Sequence, residues 1–355
     1  MIDAAFWRGR RVFLTGHTGF KGAWLALWLS GLGARVTGYA LAPPTSPSLY
    51  ELAGVGELLE SVTGDIRDAG HLASALQAAE PEVVFHLAAQ PLVRDSYAQP
   101  VETFATNVMG TAHVLEAARR APSVRSVVVV TTDKCYQNRE WVWGYRETDP
   151  LGGHDPYSAS KAAAEIVTAA WRASFFDGGV AIATARAGNV IGGGDFARDR
   201  LLPDFIRAVE QGTELEIRHP DAVRPWQFVL EPLCGYLELA QRGHAGVSGS
   251  DGAWNFGPDD AGTRTVGEVV RAFAKACAPH APAAVRFGAS GPQPHEATLL
   301  KLDTSKARAH LTWRPRLDLD ETLRWTADWY RAWLDGRNLR ELSERQIQQY
   351  LLGTS

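Results

Sequence analysis

Residues 11–32, RVFLTGHTGFKGAWLALWLSGL, decide the fold of this chain. A short apolar run predicts a buried strand at residues 11–14, and apolar side chains at helical spacing predict a helix at residues 19–32. Glycines at the turn between them let the backbone approach a pyrophosphate, whose charge the helix N-terminus stabilises. A tight turn that needs glycine only for packing is the alternative. The strand before the turn and the helix after it favour a dinucleotide site.

The same alternation of strand and helix continues to about residue 187. Short apolar runs with little polar alternation are typical of strands that are covered on both faces, so the sequence predicts a parallel sheet wrapped by helices. The fold class is therefore α/β, a doubly wound (Rossmann) sheet with a smaller C-terminal lobe. The predicted strands are residues 11–14, 35–39, 59–63, 83–87, 127–130 and 180–183, and the predicted helices are residues 19–32, 71–79, 101–120 and 158–176.

The pattern breaks after residue 187, where three consecutive glycines open a loop. We therefore predict two domains. Residues 1–187 form the NAD-binding domain, to which a segment near residues 225–245 returns. Residues 188–355 form the smaller lobe, which is expected to hold the substrate.

Composition limits the classes of partner. The formal net charge of -4, with 21% charged residues, offers no basic field for nucleic acid and no polybasic anchor for a membrane surface. The three cysteines are far apart and lack CxxC spacing, which indicates neither a disulfide framework nor a metal site. No segment approaches the ~18 apolar residues of a membrane span. We expect a cytoplasmic protein with a small-molecule substrate.

The glycine turn and the strand ends that follow it supply the predicted cofactor contacts. An acidic residue about 20 positions beyond such glycines normally binds the adenosine ribose, but this chain has ALAPPT at residues 40–45. Since no Arg or Lys stands there for a 2′-phosphate, NAD is favoured over NADP. Asp65 is a candidate for the adenine amino group, with a helix N-cap as the alternative. The predicted contacts are Gly16, Thr18, Gly19, Phe20, Gly22, Asp65, Ile66, Leu87, Ala88, Ala89, Asn107, Thr131, Tyr157 and Lys161.

Tyr157 and Lys161 give the strongest chemical signal. Side chains four residues apart on a helix share a face, so an ammonium beside the phenol lowers its pKa and favours a tyrosinate base for an alcohol. A surface Tyr/Lys pair is the alternative. The pair follows a glycine turn and Thr132, at the end of the fifth strand, which favours the catalytic interpretation.

The whole chain resembles the extended short-chain dehydrogenase/reductase family, and several segments are specific to a branch that acts on CDP-linked hexoses. The fold and NAD follow from this resemblance as expectations. The segments are GHTGFKGAWLALWL (16–29), TTDKCYQNREWVWGYRETDPLGGHDPYSASKAAAE (131–165), RAGNVIGGGD (186–195), RPWQFVLEPL (224–233) and PHEATLLKLDTSKA (294–307).

The resemblance implies a dehydration. Tyr157, helped by Lys161 and Thr132, would take the proton of the sugar C4 hydroxyl as hydride passes to NAD. The resulting 4-ketone acidifies the C5 hydrogen, so that water leaves from C5 and C6 before the hydride returns to C6. Related dehydratases carry an Asp-Glu pair for the elimination, whereas this chain has Asp133 and Lys134. Two roles stay open for Lys134, the C5 base or a cation that stabilises the C5 enolate. A surface ion pair is the alternative for Asp133 and Lys134.

Further expectations also come from the resemblance. The predicted substrate-binding residues are Gln90, Asn189, Arg200, Arg224 and His295. The family usually forms homodimers or dimers of dimers, and two long helices, residues 101–120 and 158–176, are expected to pair. A nucleotide-sugar 4-epimerase and a non-catalytic dinucleotide-binding protein are the alternatives. Asp133 argues against the epimerase, and the intact Tyr157, Lys161 and Thr132 argue against a non-catalytic protein.

Overall fold

The computed structural model describes residues 2–176, 178–259, 263–280, 282, 284–288 and 299–353. The strands in these ranges are β1 (Arg11–Thr15), β2 (Arg35–Ala40), β3 (Glu60–Thr63), β4 (Val83–His86), β5 (Ser126–Val130), β6 (Ala181–Ala187), β7 (Val190–Ile191), β8 (Glu214–Ile217), β9 (Val223–Pro225), β10 (Gln227–Phe228), β11 (Gly252–Phe256), β12 (Thr263–Thr265) and β13 (Ala284–Phe287).

The α-helices in the same ranges are α1 (Ala4–Trp7), α2 (Phe20–Gly31), α3 (Leu49–Leu52), α4 (Ala69–Ala79), α5 (Val93–Ala98), α6 (Pro100–Phe104), α7 (Gly110–Arg120), α8 (Pro156–Phe175), α9 (Leu201–Gln211), α10 (Leu230–His244), α11 (Val266–Cys277), α12 (Ser305–His310), α13 (Leu319–Leu334) and α14 (Leu339–Leu352). None of the helices in the described part of the chain is long and apolar enough to cross a membrane.

Seven strands form one parallel sheet in the order β11-β6-β5-β4-β1-β2-β3. The chain leaves β1 toward β2 and β3 and then returns to the other side of β1 with β4. This reversal is a topological switch point, and ligands of open α/β sheets bind at the carboxyl ends of the strands beside it. The predicted doubly wound Rossmann fold is confirmed.

Both faces of the sheet are covered, which explains why its central strands lack polar alternation. Val12, Leu14 and Val128 point into one core with α2, α10, α13 and α14. Phe13 and Val127, the alternate residues, point into a second core with α4 and α7. Strands β4 and β5 are buried at every position, as strands between two helical layers require.

The last strand of the sheet comes from far along the chain. Strand β11 pairs in parallel with β6, from Gly252 beside Ala183 to Phe256 beside Ala187. The segment near residues 225–245, which was predicted to return to the large domain, contributes helix α10, which packs on β5 and β6. No strand was predicted at residues 252–256, because GAWNF shows neither a long apolar run nor clear alternation.

The end of the described chain packs against its beginning. Helix α14 lies on α2, where the rings of Trp28 and Tyr350 meet edge to face with centroids 5.7 Å apart. Arg340 of α14 also donates from Nε to the carbonyl oxygen of Ala53 at 2.7 Å. The apolar helix that follows the glycine turn is therefore buried partly by residues some 300 positions later in the sequence.

The helix predicted at residues 101–120 is interrupted. Helices α6 and α7 are joined by a π-helical turn, Ala105–Met109, which carries the buried side chain of Asn107. Such turns insert a residue into the helical ladder and occur often at functional sites. Apolar periodicity continues through the turn, so the sequence pattern did not reveal it.

Candidate active site

The three glycines of the turn serve two different purposes. Gly16 has a φ of +78°, and a Cβ there would lie 2.7 Å from the amide nitrogen of Ala88. A Cβ on Gly22 would overlap the carbonyl oxygen of Gly16. A Cβ on Gly19, the N-cap of α2, would instead meet nothing closer than the same oxygen at 3.5 Å. Packing therefore explains Gly16 and Gly22, whereas Gly19 leaves open space in front of the helix N-terminus.

This division fits a dinucleotide. The first N–H groups of a helix have no partner within the helix, and the open space at Gly19 lets an anion reach them. The residues present fit the pyrophosphate of NAD, with Gly16, Gly19 and Phe20 as the holding segment.

Gly19→Ala is expected to weaken NAD binding and leave the fold intact. The added methyl group enters the space that the pyrophosphate needs, so the Kd for NAD should rise roughly tenfold or more, which is about 1.4 kcal/mol. The free energy of unfolding should fall by no more than about 1 kcal/mol, because alanine is only a poorer N-cap. Calorimetric titration with NAD and thermal unfolding measure the two effects.

The matched control is Gly31→Ala, in the same helix, where a Cβ meets no atom within 4 Å. It should leave the Kd unchanged. If Gly19→Ala binds NAD as tightly as the unsubstituted protein, Gly19 does not contact the pyrophosphate.

Other predicted cofactor contacts line the neighbouring strand ends. The Oγ1 of Thr18 donates to the carbonyl oxygen of Leu41 at 2.9 Å. Amide nitrogens of Leu87 and Ala88 each donate to Oγ1 of Thr15 at 3.2 Å, which ties the end of β4 to the end of β1. These contacts bring Leu87 and Ala88 beside the glycine turn, at the switch point of the sheet. Their contact with NAD stays a prediction, as does that of Ala89.

Asp65 forms an ion pair with Arg67, with Nη2 2.5 Å from Oδ2. Helix α4 is capped by Asp68, whose side chain accepts from the amide of His71. The N-cap alternative for Asp65 is therefore wrong. Ile66 is buried against α7, where a Cβ on Gly110 would overlap its side chain.

Asn107 joins the loop after β4 to helix α8. Its Oδ1 accepts from the amide of Gln90 at 2.8 Å, and its Nδ2 donates to Oγ of Ser160 at 2.9 Å. The side chain of Gln90 donates in turn to Oγ1 of Thr103 at 2.9 Å and to the carbonyl oxygen of Leu92 at 3.1 Å. The side chains of Asn107 and Gln90 therefore hold the loop after β4 beside helix α8.

Tyr157 lies in the first turn of α8, which Asp155 caps by accepting from the amide of Ser158. Burial raises the pKa of Tyr157 to about 12, against a hydrogen bond with Thr132 that lowers it. The sequence predicted a lowered pKa because of Lys161, and that direction is wrong for the protein alone, since burial disfavours the phenolate. Tyr157 is a phenol at neutral pH until further positive charge is added beside it.

Lys161 lies one turn further along α8 and reaches the end of β5. Its Nζ donates to the carbonyl oxygen of Val130 at 3.1 Å. Burial lowers the pKa of Lys161 to about 8, while the neighbouring Glu165 and Cys135 act in the opposite direction. The amine is therefore still mostly protonated at neutral pH.

Asp133 and Lys134 open a single 3₁₀ turn, Asp133–Cys135, capped by Thr132. Thr132 Oγ1 donates to Oδ1 of Asp133 at 2.9 Å. Asp133 is 1% exposed, and its Oδ2 has no hydrogen-bond partner among the residues described. The Nζ of Lys134 lies 3.9 Å from Oδ1. A buried carboxyl with a free oxygen is not a solvated surface group, so the surface-pair alternative is wrong for Asp133.

Lys21 was missed in the sequence, although it stands within the glycine turn. Burial lowers its pKa to about 7, and Lys161 and Arg200 act in the same sense, while Asp133 and Asp195 oppose them. The amine therefore lies within the electrostatic field of Lys161, Arg200, Asp133 and Asp195. Its position between Gly19 and Gly22 of the predicted pyrophosphate turn could have identified Lys21 as a candidate site residue.

Arg200, a predicted substrate contact, is paired with a residue that the sequence did not single out. Its Nη1 donates to Oδ2 of Asp195 at 2.7 Å, and the carboxylate raises the pKa of Arg200. Arg200 also acts to lower the pKa of Tyr157, so its guanidinium lies within the electrostatic range of the phenol.

The remaining predicted substrate contacts differ in position. Arg224 is buried and donates from Nη1 to the carbonyl oxygen of Val223 at 3.1 Å. Asn189 stands between β6 and β7, and its carbonyl oxygen accepts from the amide of Gln227. His295 lies outside the described residues. Substrate contact by all of these stays a prediction.

The described residues contain no group of three or more His, Cys, Asp or Glu side chains arranged to hold a metal ion.

Comparisons with known proteins show the family to which the chain belongs. Residues 13–326 match the model of the GDP-mannose 4,6 dehydratase family. The chain therefore belongs to this family of extended short-chain dehydrogenases, and the predicted family is confirmed. The CDP-glucose 4,6-dehydratase of Salmonella typhimurium is 51% identical to it over 362 residues, which cover 100% of both chains.

More distant relatives have the same fold. The dTDP-glucose 4,6-dehydratase of Xanthomonas campestris pv. campestris is 27% identical over 91% of this chain and 94% of its own. The crystal structure of a double mutant of DesIV, a dTDP-glucose 4,6-dehydratase from Streptomyces venezuelae with NAD and DAU bound, superposes with a TM-score of 0.78 at 26% identity. It covers 92% of this chain and 98% of that one.

Proposed function

We propose that the chain is an NAD-dependent CDP-D-glucose 4,6-dehydratase, which converts CDP-D-glucose to CDP-4-keto-6-deoxy-D-glucose and water. The observation that carries the proposal is the buried carboxyl of Asp133, whose Oδ2 has no partner among the described residues and lies beside the Tyr157 machinery. An acid beside the tyrosine is needed for loss of water and not for hydride transfer alone. Similarity to the Salmonella typhimurium enzyme along the whole chain supports the CDP-linked hexose.

NAD, when bound, accepts a hydride from sugar C4 and later returns it to C6. Side chains of the protein accept and donate the protons of the reaction. Tyr157, bonded to Thr132 and close to Arg200, takes the C4 hydroxyl proton. Lys161 holds positive charge on the same face of α8 and so favours the phenolate. Tyr157 would lose its proton more readily beside the positive charge of bound NAD, which would oppose the effect of burial on its pKa.

Elimination uses the 3₁₀ turn at the end of β5. The 4-ketone acidifies the C5 hydrogen, and Asp133 gives a proton to the departing C6 oxygen. We assign the step at C5 to Lys134, whose Nζ lies 3.9 Å from Asp133 and whose side chain is 29% exposed. It serves there as the base or as the cation that stabilises the enolate, and we favour the base.

The test is a comparison of substrates. The purified protein is incubated separately with CDP-, dTDP-, UDP- and GDP-linked glucose and with GDP-mannose, and each product is identified by mass and by the absorbance of a 4-keto-6-deoxy sugar in alkali. Loss of one water from CDP-glucose, at a higher kcat/KM than from the other substrates, supports the proposal. A C4 epimer of unchanged mass would instead establish the epimerase alternative.

We also propose that two copies pair through helices α6 to α8. Large apolar side chains are exposed there, as is typical of an interaction surface: Val101, Phe104, Met109, Ile166 and Phe175. Ile166→Arg should convert a dimer to a monomer in light scattering, while Leu352→Arg, at an exposed position on α14, should not. A dimer of dimers would appear as twice the dimer mass, and an unsubstituted monomer would refute the pairing.

The cytoplasm is the proposed location. Cys135, Cys234 and Cys277 are all buried free thiols, which fits a reducing compartment. Neither a nucleic acid nor a membrane is proposed as a partner.

A further inference from the structure

A buried carboxylate lies beneath the catalytic residues of helix α8. Tyr157, Lys161 and Glu165 are spaced four residues apart, so their side chains follow one face of the helix on successive turns. Glu165 is 3% exposed. The proposed mechanism gives it no role.

The carboxylate of Glu165 has a partner at each oxygen. Thr131 Oγ1 donates to Oε1. Thr184 Oγ1 and Arg186 Nη2 donate to Oε2 at 2.7 and 2.8 Å. The Arg186 side chain is also 3% exposed, so the ion pair lies fully within the protein. Glu165 therefore connects helix α8 to the carboxyl end of β5 and to β6.

Arg186 extends these contacts to the loop that follows Lys134. Its Nη1 donates to the hydroxyl of Tyr136 at 2.7 Å and to the carbonyl oxygen of Glu147 at 3.2 Å. The Tyr136 hydroxyl donates to Oδ1 of Asn255 at 2.7 Å. Both ends of the Thr131–Tyr136 segment, which contains the catalytic turn, are thus bonded to one ion pair.

We propose that Glu165, held by Arg186, is a positioning residue for the dehydration, acting through Thr131 on the catalytic turn and through Lys161 on Tyr157. This inference rests on the proposed function of the same site. Thr131 directly precedes Thr132, Asp133 and Lys134, so its bond to Glu165 sets where the turn begins. Glu165 itself touches neither substrate nor cofactor.

The effect on Lys161 is electrostatic. The titratable groups around it are Tyr157 and Glu165 on its own helix, Cys135 after β5, His86 on β4 and Lys21 on α2. Burial raises the pKa of Tyr157 to about 12 and that of Cys135 well above its usual value, and burial lowers the pKa of His86 to about 3 and that of Lys21 to about 7. Of these five groups, Glu165 alone is mostly charged above pH 8.

Glu165→Gln should therefore change the pH dependence as well as the rate. Without the carboxylate, the pKa of Lys161 falls below about 8, and the ammonium is lost at lower pH. We expect the alkaline limb of the kcat profile to move down by about one pH unit. At the pH optimum kcat should fall by up to roughly 100-fold, because the catalytic turn is displaced, while KM for the nucleotide sugar changes little.

Two controls separate charge from packing. Thr184→Val removes one hydrogen bond from Glu165 and keeps its charge, so the alkaline limb should stay in place. Glu165→Asp also keeps the charge, but its carboxylate is drawn back from Thr131, so kcat should fall with an unmoved limb. If Glu165→Gln does not fold, Glu165→Gln/Arg186→Met removes both charges together and should show the same limb shift.

The proposal would be overturned if kcat of Glu165→Gln fell by the same factor at every pH and the alkaline limb stayed at its position in the unsubstituted protein. Glu165 would then be a structural residue. Full activity in that variant would overturn it equally. Failure of the proposed function is distinguishable from both outcomes, because the unsubstituted protein would then form no dehydrated product.

Discussion

Tyr157→Phe is expected to lower kcat by about 100- to 10,000-fold. The substitution removes a phenol that is hydrogen-bonded to Thr132 and lies in the field of Asp133 and Arg200. No proton acceptor is then in place at the C4 hydroxyl, so the first hydride transfer fails. Steady-state kinetics with CDP-glucose and equilibrium binding of the same substrate measure the effect.

Binding of the nucleotide sugar should persist in this variant, because phenylalanine fills the same buried volume and the helix cap by Asp155 is untouched. Tyr350→Phe is the matched control. The hydroxyl of Tyr350, on helix α14, is buried and donates to Glu231 at 2.7 Å. The control therefore loses a similar hydrogen bond, and its turnover should be unchanged. Turnover of Tyr157→Phe near that of the control would remove Tyr157 from the mechanism.

Lys134→Met should stop the reaction at a different step. Oxidation at C4 remains feasible because Tyr157, Thr132 and Lys161 are intact, but the C5 proton is no longer removed. Reduced nicotinamide should therefore accumulate on the enzyme, visible by its near-ultraviolet absorbance, while 4-keto-6-deoxy product falls by about 100-fold or more. Exchange of the C5 hydrogen with deuterated water, followed by mass spectrometry, should also stop.

Lys134→Glu distinguishes the chemistry from mere loss of a side chain. It restores the Asp-Glu pair that the family resemblance implies for related dehydratases, so it should keep more activity than Lys134→Met. Lys275→Met, on the exposed side of α11, controls for removal of a lysine and should behave as the unsubstituted protein. Product formation by Lys134→Met at the native rate would show that Lys134 has no part in elimination.

The fold was predictable because its information is local. The strands at Val12, Val84 and Val128 are short apolar runs, and their burial on both faces leaves no alternation to confuse with an exposed sheet. The glycine turn likewise carries its function in sequence, since a strand precedes Gly16 and a helix follows Gly19. The family resemblance added the reaction.

The parts that could not be predicted depend on contacts between distant residues. Glu165, on helix α8, is a buried anchor because Arg186 and Thr184 on strand β6 face it, and Asp195 is tied to the site by its ion pair with Arg200. The pKa of Tyr157 was predicted in the wrong direction because helical spacing places Lys161 on the same face but reveals nothing of burial. Periodicity predicts which side chains share a face of one helix or strand. The desolvation that shifts a pKa depends instead on packing in the whole fold.

The edge strand β11 has a consequence for how the chain folds. Until residues 252–256 have left the ribosome, β6 presents an unpaired row of N–H and C=O groups, which is a template for association with other chains. Helix α2 likewise cannot be fully buried until α14 has been synthesised, because Trp28 packs against Tyr350. Contacts of such long sequence separation form slowly. The nascent protein is therefore most vulnerable to aggregation late in synthesis, when its nucleotide-binding half is complete in sequence but still open at one edge.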